Sequence, residues 1–326
     1  MPGPVRSDEF ERSTAAYRAE LLAHCYRMLG SIHDAEDAVQ DTYLRAWRFY
    51  EGFDGRAPIR SWLYRIATNV CLTALDRRGR RPLPSDLHAA HQDALALAGA
   101  RPDVPWLEPA PDTAFAGADP AGAVVTQESV RLAFIAALQQ LPARQRSVLL
   151  LRDVLAMTAH EVATTIGTTT DAVNGMLKRA RKQIAAYGIA RDDVTEPDEP
   201  TDRALVGRFV AAFENSDVAG LVELLSDDAI FEMPPLPRWF AGIDSIRQFV
   251  AAHVLHPGNS WRAIPTRANG QPAVATYLRD DDTGPHRAHG VTVLTVRGMR
   301  VSRMDSFLDP GLLGVFGLPP TYPERT

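Results

Sequence analysis

The chain has 326 residues, of which 45% are hydrophobic and 23% charged, so it has room for two or three domains and is not disordered throughout. Its net charge of −5 is unevenly distributed: residues 1–190 hold 22 Lys and Arg against 21 Asp and Glu, and the remainder holds 13 against 19. No run approaches the roughly 18 apolar residues that span a bilayer, and the N-terminus lacks an apolar signal core. We therefore expect a cytoplasmic protein with no membrane partner. Cys25 and Cys71 fall on apolar helix faces, which indicates buried thiols and implies no metal and no cofactor.

Apolar spacing predicts a compact helical domain over residues 8–81, made of three amphipathic helices. The first covers residues 10–30, and the second follows Ser31 through HDAEDAVQDTYLRAWRFY, with Phe49 on its inward side and a separate acidic stripe at Asp34, Asp37 and Asp41. The third begins at Pro58 and ends in RRGRR. The range from Arg56 to Arg81 contains seven arginines and one aspartate. Such a local excess of positive charge is typical of a surface that binds a polyanion.

Residues 82–123 have seven prolines and no sustained periodicity, which predicts an extended linker. Trp106 and Leu107 are unusual in it, because an exposed WLEP is unfavourable in water. Either this pair docks onto a neighbouring domain or it is an incidental hydrophobic pair. The helical pattern resumes near Val125 and predicts a second all-α domain over residues 124–188.

Residues 158–184 have the pattern of a helix-turn-helix. Thr158 and Glu161 form a T-x-x-E capping box, Gly167 supplies a turn, and Thr169 can cap the second helix. One face of that helix carries Asn and Arg groups that can contact base edges, together with cations that can neutralise phosphates. Alone, the pattern fits equally well an ordinary helical hairpin with a solvated basic face.

The acidic, proline-containing stretch ARDDVTEPDEPTD that follows Ile189 predicts a hinge at residues 189–200. A final domain at 201–326 comes after it. Helical patterns come first there, followed by the strand-like runs AIFEM, PAVATYL, HGVTVLTV and RVSRMDSFL. This order predicts an α+β domain with a mostly antiparallel sheet. The fold class is therefore multidomain: two all-α domains followed by an α+β domain.

The order of these parts resembles the extracytoplasmic-function (ECF) branch of the sigma-70 family. The stretch DAEDAVQDTYLRAW is similar to the helix that binds core RNA polymerase, and SWLYRIATNVCLTALDRR is similar to the helix that melts the promoter and reads its −10 element. The stretches LPARQRSVLLLRDVL and EVATTIGTTTDAVNGMLKRAR are similar to the domain that reads the −35 element. The resemblance implies a promoter-specific initiation factor whose partners are core polymerase, at the clamp of its β′ subunit, and promoter DNA.

The resemblance also implies roles for individual residues. Those expected to bind polymerase are Asp34, Glu36, Asp37, Gln40 and Asp41, although a solvated acidic face is the alternative. Those expected to contact the −10 element are Arg60, Trp62, Arg65, Asn69, Arg77 and Arg78, with a flipped base near the loop at residues 53–60. Trp62 also lies on the core stripe, so its role stays open. Those expected to contact the −35 element are Thr169, Thr170, Asn174, Lys178, Arg179 and Arg181.

The final domain resembles, in pattern only, the SnoaL-like branch of the nuclear transport factor 2-like superfamily, whose cone-shaped domains hold an apolar pocket. Such a pocket implies a small apolar ligand, with an aspartate as general base in enzymatic members. WLEPAPD also resembles a motif of sigma factors that carry such a domain, which implies regulation in cis and no obligate separate anti-sigma factor. Candidate pocket residues are Phe231, Met233, Trp239, Phe240, His253, Tyr277, His289 and Asp305; the alternative is that they are core and rim.

Three function classes remain open from the sequence. The first is a sigma factor with a regulatory C-terminal domain, and the second is a sigma factor whose C-terminal domain is also an isomerase or cyclase. The third is a regulator that binds duplex DNA without polymerase. The acidic helix followed by a Trp-bearing basic helix favours the first class, in which the chain is not an enzyme and has no catalytic residues.

Overall fold

The computed structural model describes residues 4–53, 55, 58–91, 93, 95, 99–116, 130–187, 199–279 and 284–323. It divides into two compact units. The first consists of Met1–Arg81 with Asp112–Ile189, and the second of Pro82–Pro111 with Ala190–Thr326. This division differs from the one expected from sequence, because most of the predicted linker belongs to the C-terminal unit. The predicted acidic hinge falls largely on residues 188–198, which lie outside the described residues.

The N-terminal half of the first unit contains four helices: α1 (Pro4–Thr14), α2 (Arg18–Leu29), α3 (Ile32–Phe49) and α4 (Ile59–Arg78). The single helix predicted over residues 10–30 is wrong, because a 3-10 turn at Ala15–Tyr17 interrupts it. Just before the turn, the hydroxyls of Ser13 and Thr14 both donate to the carbonyl oxygen of Phe10, at 2.8 Å each. Such side-chain bonds to the preceding turn compete with the regular helical ladder.

The core of this half is formed by α2, α3 and α4, whose facing residues include the fully buried Leu21, Met28 and Leu63. Both thiols, Cys25 and Cys71, are buried there. His24 is buried as well, and its Nε2 lies 3.0 Å from Thr68 Oγ1. Burial, with a smaller contribution from the charge of Arg27, lowers the pKa of His24 to about 3.

In the second half of this unit, the described residues form four helices: α5 (Leu132–Gln139), α6 (Ala143–Leu149), α7 (Ala159–Ile166) and α8 (Thr170–Ala186). A π-helical turn at Leu150–Val154 extends α6. Arg146 of α6 is only 2% exposed and donates to the backbone carbonyl oxygen of Met28 near the end of α2. It also donates to Gln139 Oε1 at 2.7 Å, so a buried guanidinium joins the two halves of the unit.

The second unit begins its regular structure with α9 (Glu199–Glu214) and α10 (Val218–Glu223). The strands are β1 (Leu225–Glu232), β2 (Trp239–Ala241), β3 (Ser260–Ala268), β4 (Gln271–Arg279), β5 (Arg287–Arg297) and β6 (Arg300–Phe307). Helix α11 (Ile243–Phe249) lies between β2 and β3, and the short α12 (Leu312–Val315) follows β6. The four predicted strands correspond to β1, β4, β5 and β6.

The six strands form one sheet in the order β2-β1-β6-β5-β4-β3, in which only the β1/β6 pair is parallel. Strand β3 was not predicted. It contains Pro265, which cannot donate to a ladder, and it lies at the sheet edge, where a missing donor is tolerated. Within the described residues, no helix is both long and apolar enough to cross a membrane.

Candidate nucleic-acid interface and C-terminal domain

Helix α4 presents the residues expected to contact the −10 element. Arg65, Asn69, Arg77 and Arg78 are exposed, whereas Arg60 and Trp62 are half-buried. Arg60 Nε donates to Glu20 Oε2 at 2.8 Å, and its guanidinium lies 5.2 Å from the centre of the Tyr64 ring. The Arg65 and Arg77 side chains make no hydrogen bond or ion pair with any other described residue, so they are available to phosphates.

A groove of about 230 Å³ lies between α3 and α4. Its lining consists of two arginines, two aromatic residues, one aliphatic residue and one amide: Arg45, Phe49, Trp62, Arg65, Ile66 and Asn69. Phe49 was expected to face the core but is 66% exposed at the rim. Helical spacing gives the direction of a side chain, not whether a neighbour covers it. The Trp62 ring packs against the Phe53 ring, with the centroids 4.9 Å apart and the planes tilted by 34°.

The helix-turn-helix has the capping predicted from sequence. Thr158 Oγ1 accepts from the Glu161 amide at 3.3 Å, and the Glu161 carboxylate accepts from the Thr158 amide at 2.7 Å. Gly167 ends α7 in the left-handed region with φ 66°, and the Thr169 hydroxyl accepts from the Ala172 amide to begin α8. All six residues expected to contact the −35 element are exposed: Thr169, Thr170, Asn174, Lys178, Arg179 and Arg181.

Several of the residues expected to contact DNA are engaged inside the first unit. Arg181 makes two hydrogen bonds to the Asp153 carboxylate, at 2.9 and 2.7 Å. Asn69 Nδ2 donates to the backbone carbonyl oxygen of Thr165 in α7 at 3.3 Å. The expected −10 helix therefore packs directly against the helix-turn-helix.

The residues of α3 that were expected to bind polymerase fall into two sets, one paired within the chain and one exposed. Asp34 is not available to a partner, because it accepts from Arg81 at 2.5 Å and also from Arg78. Although burial alone would raise the pKa of Asp34, the hydrogen bonds and charges of Arg81 and Arg78 lower it overall. Glu36 is half-buried and pairs with Arg18 at 2.6 Å. Asp37, Gln40 and Asp41 remain exposed on one side, together with Leu44, which is 57% exposed.

The segment Pro82–Pro111, called here the 82–111 segment, packs onto the C-terminal domain. At its start, the Ser85 amide and hydroxyl donate to the two carboxylate oxygens of Glu232, at 2.9 Å each. At its end, the Ala110 amide donates to Asn269 Oδ1 and the Asn269 amide donates to the Ala110 carbonyl oxygen, both at 3.0 Å. Both ends of the segment are thus fixed to the same domain.

The middle of the segment follows β2 and the loop before it. His91 donates from its amide to the carbonyl oxygen of Trp239 at 3.0 Å, and Trp239 Nε1 donates to the carbonyl oxygen of His88 at 2.8 Å. Trp106 and Leu107 are 8% and 1% exposed, and Trp106 Nε1 donates to the carbonyl oxygen of Arg101 at 2.9 Å. The tryptophan therefore folds the segment onto itself while it covers apolar surface.

The acceptor of Ser85 belongs to a buried ionic cluster. Glu232 and Asp305 are direct neighbours on the parallel strands β1 and β6, and both are almost fully buried. Arg303 donates to Asp305 at 2.9 Å and also to Glu232. Burial raises the pKa of both carboxyl groups, while the charge of Arg303 opposes this shift. Because the cluster is buried, the docking of Ser85 depends on this network remaining complete.

A cavity of about 210 Å³ lies on the other side of the same two strands. Phe231 and Met304 line it, and each immediately precedes a residue of the buried cluster along its strand. Since successive side chains point to opposite faces of a sheet, one face forms the cavity and the other carries the cluster that binds Ser85. Among the described residues, no Asp, Glu, Lys or Arg lines the cavity.

The sequence matches three families in order: "Sigma-70 region 2" over residues 14–81, "Sigma-70, region 4" over residues 131–184 and "SnoaL-like domain" over residues 206–304. It is 49% identical over 321 residues to the ECF RNA polymerase sigma factor SigG of Mycobacterium tuberculosis, which covers 98% of this chain and 86% of that protein. The chain belongs to the ECF RNA polymerase sigma factors. As a sigma factor it acts with core RNA polymerase on promoter DNA.

Two further similarities extend over the fused C-terminal domain. The probable ECF sigma factor SigI of M. tuberculosis is 27% identical over 310 residues, which cover 94% of this chain and 95% of that protein. The crystal structure of the ECF sigma factor SigJ of the same species aligns with a TM-score of 0.60 at 25% identity, covering 96% of this chain and 99% of that one. The multidomain fold predicted from sequence is confirmed.

The structure corrects several site expectations for this sigma factor. Of the candidate pocket residues, Phe231, Met233, His253 and His289 line the cavity, whereas Trp239, Phe240, Tyr277 and Asp305 do not. Asp305 faces the buried cluster, so it is not placed to act as a general base in the cavity. Tyr277 donates from its hydroxyl to the carbonyl oxygen of Pro319 at 3.2 Å. Of the expected −10 loop, residues 54, 56 and 57 lie outside the described residues.

Sequence reasoning missed the two residues that fix the start of the 82–111 segment. Ser85 is one polar residue in a proline-rich stretch, and Glu232 interrupts the apolar run AIFEM. An acidic residue within a run predicted as a buried strand is a recognisable signal, because buried carboxylates require partners. Its partner could not be found from sequence, since 147 positions separate the two residues.

Proposed function

We propose that this sigma factor reads the −10 element with α4 and the adjoining groove, and the −35 element with α8, while its C-terminal domain controls how far apart the two readers can move. The observation that carries the proposal is the docking of the 82–111 segment. That segment is part of the covalent connection between the two readers, and both of its ends are held by the C-terminal domain, at Ser85 and at Ala110.

Promoter binding requires the two readers to separate. Elements centred at −10 and −35 are about 25 base pairs apart, which corresponds to roughly 85 Å of duplex at 3.4 Å per base pair. In the packed first unit, Asn69 of α4 instead lies 3.3 Å from the backbone of α7. This packed arrangement therefore cannot contact both elements at once, and it must open when polymerase and promoter bind.

The length of free chain determines whether the readers can open. Fully extended, about thirty residues reach roughly 100 Å, which is enough to span the two elements. With Ser85 and Ala110 both fixed, the 82–111 segment contributes little of that reach. Release of the segment from the C-terminal domain thus favours the open, promoter-binding form, and retention favours the packed form.

The internal contacts of the residues proposed to bind DNA also favour the packed form over the promoter-binding form. Asn69, Arg78 and Arg181 each give a hydrogen bond to another residue of the first unit. DNA must replace these contacts, so promoter affinity of the free chain is reduced by the cost of breaking them. Core polymerase, engaged through Asp37, Gln40 and Asp41, supplies the additional binding energy.

Control through the chain's own C-terminal domain requires no obligate separate anti-sigma factor. We propose a cytoplasmic location, because the chain acts with core RNA polymerase. The proposal predicts that inhibition and its relief both occur with only this chain, core polymerase and promoter DNA present. A requirement for another protein to observe inhibition would contradict it.

Two substitutions test the proposal without deleting the domain. Glu232→Gln replaces one acceptor oxygen of Ser85 by a donor, and Asn269→Gly removes the acceptor of Ala110 while tolerating the left-handed φ of 57° at that position. We expect each to raise run-off transcription several-fold on a two-element promoter and to increase proteolysis within the 82–111 segment. Asp228→Asn on the same strand is the control, because Asp228 is exposed and lies near the other end of β1 from Glu232, the residue that binds Ser85. Increased proteolysis with unchanged transcription would overturn the proposed control.

A further inference from the structure

We propose that the cavity of the C-terminal domain is a receptor site for a small, uncharged, largely apolar molecule with one hydrogen-bonding group, which His289 recognises, and that the 82–111 segment responds to its occupancy. The inference rests on the proposed function for its regulatory meaning. The binding step itself stands on the geometry of the cavity.

The lining determines the chemical class of the ligand. Most of the wall is aromatic or aliphatic, as at Phe213, Phe231, Trp261 and Met304, and no ionised side chain of the described residues lines it. A charged ligand would lose its hydration without gaining a counter-ion, whereas an apolar one gains by leaving water. An apolar cavity of about 150 Å³ accepts benzene, so about 210 Å³ accommodates a single substituted ring of about ten non-hydrogen atoms.

His289 supplies the polar recognition group. Its ring meets the edge of Trp261 at 5.0 Å, and its nitrogens make no hydrogen bond to any described residue. Burial lowers the pKa of His289, so the imidazole is neutral at neutral pH and offers one donor and one acceptor. Several other polar groups on the wall have partners within the domain: Thr292 and Ser306 bond each other at 2.8 Å, and Thr276 donates to the Gly290 carbonyl oxygen at 3.2 Å. Asn259 Nδ2 donates to the Val254 carbonyl oxygen at 3.0 Å.

The cavity wall is joined to the 82–111 segment by two routes. Phe231 and Met304 face the cavity on strands whose next residues, Glu232 and Asp305, belong to the cluster that holds Ser85. In addition, His253 lines the cavity and donates from Nε2 to the carbonyl oxygen of Leu95 in the segment at 3.2 Å. A ligand that stabilises this wall therefore stabilises the docked segment by mass action.

The binding test uses the full-length chain and three probes of the same shape: 4-propylphenol, propylbenzene and 4-propylbenzoate. We expect 4-propylphenol to bind about tenfold more tightly than propylbenzene, because it alone meets His289, and 4-propylbenzoate not to bind at millimolar concentration. His289→Phe should remove the difference between the first two probes, and His289→Gln should retain part of it. Failure of all three probes to bind, or equal affinity of the wild-type chain for the first two, would overturn the proposed site.

The coupling test measures hydrogen exchange of the Ser85 and Ala110 amides with and without saturating 4-propylphenol. We expect exchange to slow several-fold at both amides, while Val162 in α7 serves as an internal control that does not change. Binding without a change at Ser85 and Ala110 would overturn the coupling. Neither arm involves transcription, so failure here is distinguishable from failure of the Glu232→Gln and Asn269→Gly experiment.

Discussion

Asn69 of α4 donates a hydrogen bond to the backbone carbonyl oxygen of Thr165 in α7, at 3.3 Å. The first residue belongs to sigma-70 region 2 and the second to region 4, so the bond joins the two regions that we propose contact different promoter elements. Arg146 reinforces the same packing from within the core by donating to the Met28 carbonyl oxygen. Under the proposed function, the promoter-bound state breaks both contacts.

Separation of the two regions should be visible by energy transfer between dyes. Thr73→Cys on α4 and Thr164→Cys on α7 are exposed positions, whereas the native Cys25 and Cys71 are buried and will label slowly. We expect high transfer efficiency in the free chain and a large loss when core polymerase and promoter DNA are added. Equal efficiency in the two states would show that the packed arrangement is not the one opened by promoter binding.

Two substitutions on α8 should separate base recognition from phosphate contact. Asn174→Ala should reduce affinity for the preferred −35 sequence about tenfold and relax discrimination at one base pair, because an amide contacts a base edge. Lys178→Ala should instead weaken binding to all sequences and reduce the salt slope by about one, because it loses a phosphate contact. Holoenzyme binding to a set of −35 variants at several salt concentrations measures both. If Asn174→Ala changed only the salt slope and Lys178→Ala relaxed base discrimination, the proposed roles of these two residues would be wrong.

The exposed part of α3 should bind polymerase, whereas Asp34 should act on stability. We expect the pair Asp37→Asn and Asp41→Asn, and separately Leu44→Asp, to weaken core binding tenfold or more while leaving the melting temperature unchanged. Asp34→Asn, a matched loss of charge on the same helix, should leave core affinity intact and destabilise the chain by about 1–2 kcal/mol, since the ion pair between Asp34 and Arg81 is lost. Weaker core binding by the Asp34 variant at full stability would show that the acidic stripe acts as a whole.

Stability should fall in mild acid because of His24. The unfolded chain binds a proton at this histidine near pH 6.5, but the folded chain does so only near pH 3, so stability is lost as pH falls between these values. At about 1.4 kcal/mol per pH unit, the loss reaches about 2 kcal/mol at pH 5. His24→Gln can keep the bond to Thr68 without titrating. The melting temperature of the wild-type chain should therefore fall relative to that of the variant between pH 7 and pH 5, and a constant difference would contradict the buried, neutral state of His24.

The sequence by itself determined the helices, turns and strands that short-range sequence patterns specify. The capping box at Thr158, the turn at Gly167 and the spacing of apolar residues in α3, α4 and α8 predicted the helix-turn-helix and the helices before it. The order of the sigma regions followed from the resemblance of three sequence stretches to the family. Alternation predicted four of the six strands. These features follow from interactions among residues three or four positions apart, or from the two-residue period of a strand. Both patterns can be recognised directly in the sequence.

Only the tertiary structure decided which of those residues are free and which are engaged. Asp34 and Asp37 are equivalent in an acidic stripe, yet one is paired with Arg81 and the other is exposed. Asp305 was expected in the cavity, but strand register placed it beside Glu232 on the opposite face. The proline-rich stretch was expected to be a linker, but Ser85 and Ala110 attach it to the C-terminal domain. Each outcome depends on partners far away in the chain, whose proximity is created by packing and not by sequence spacing.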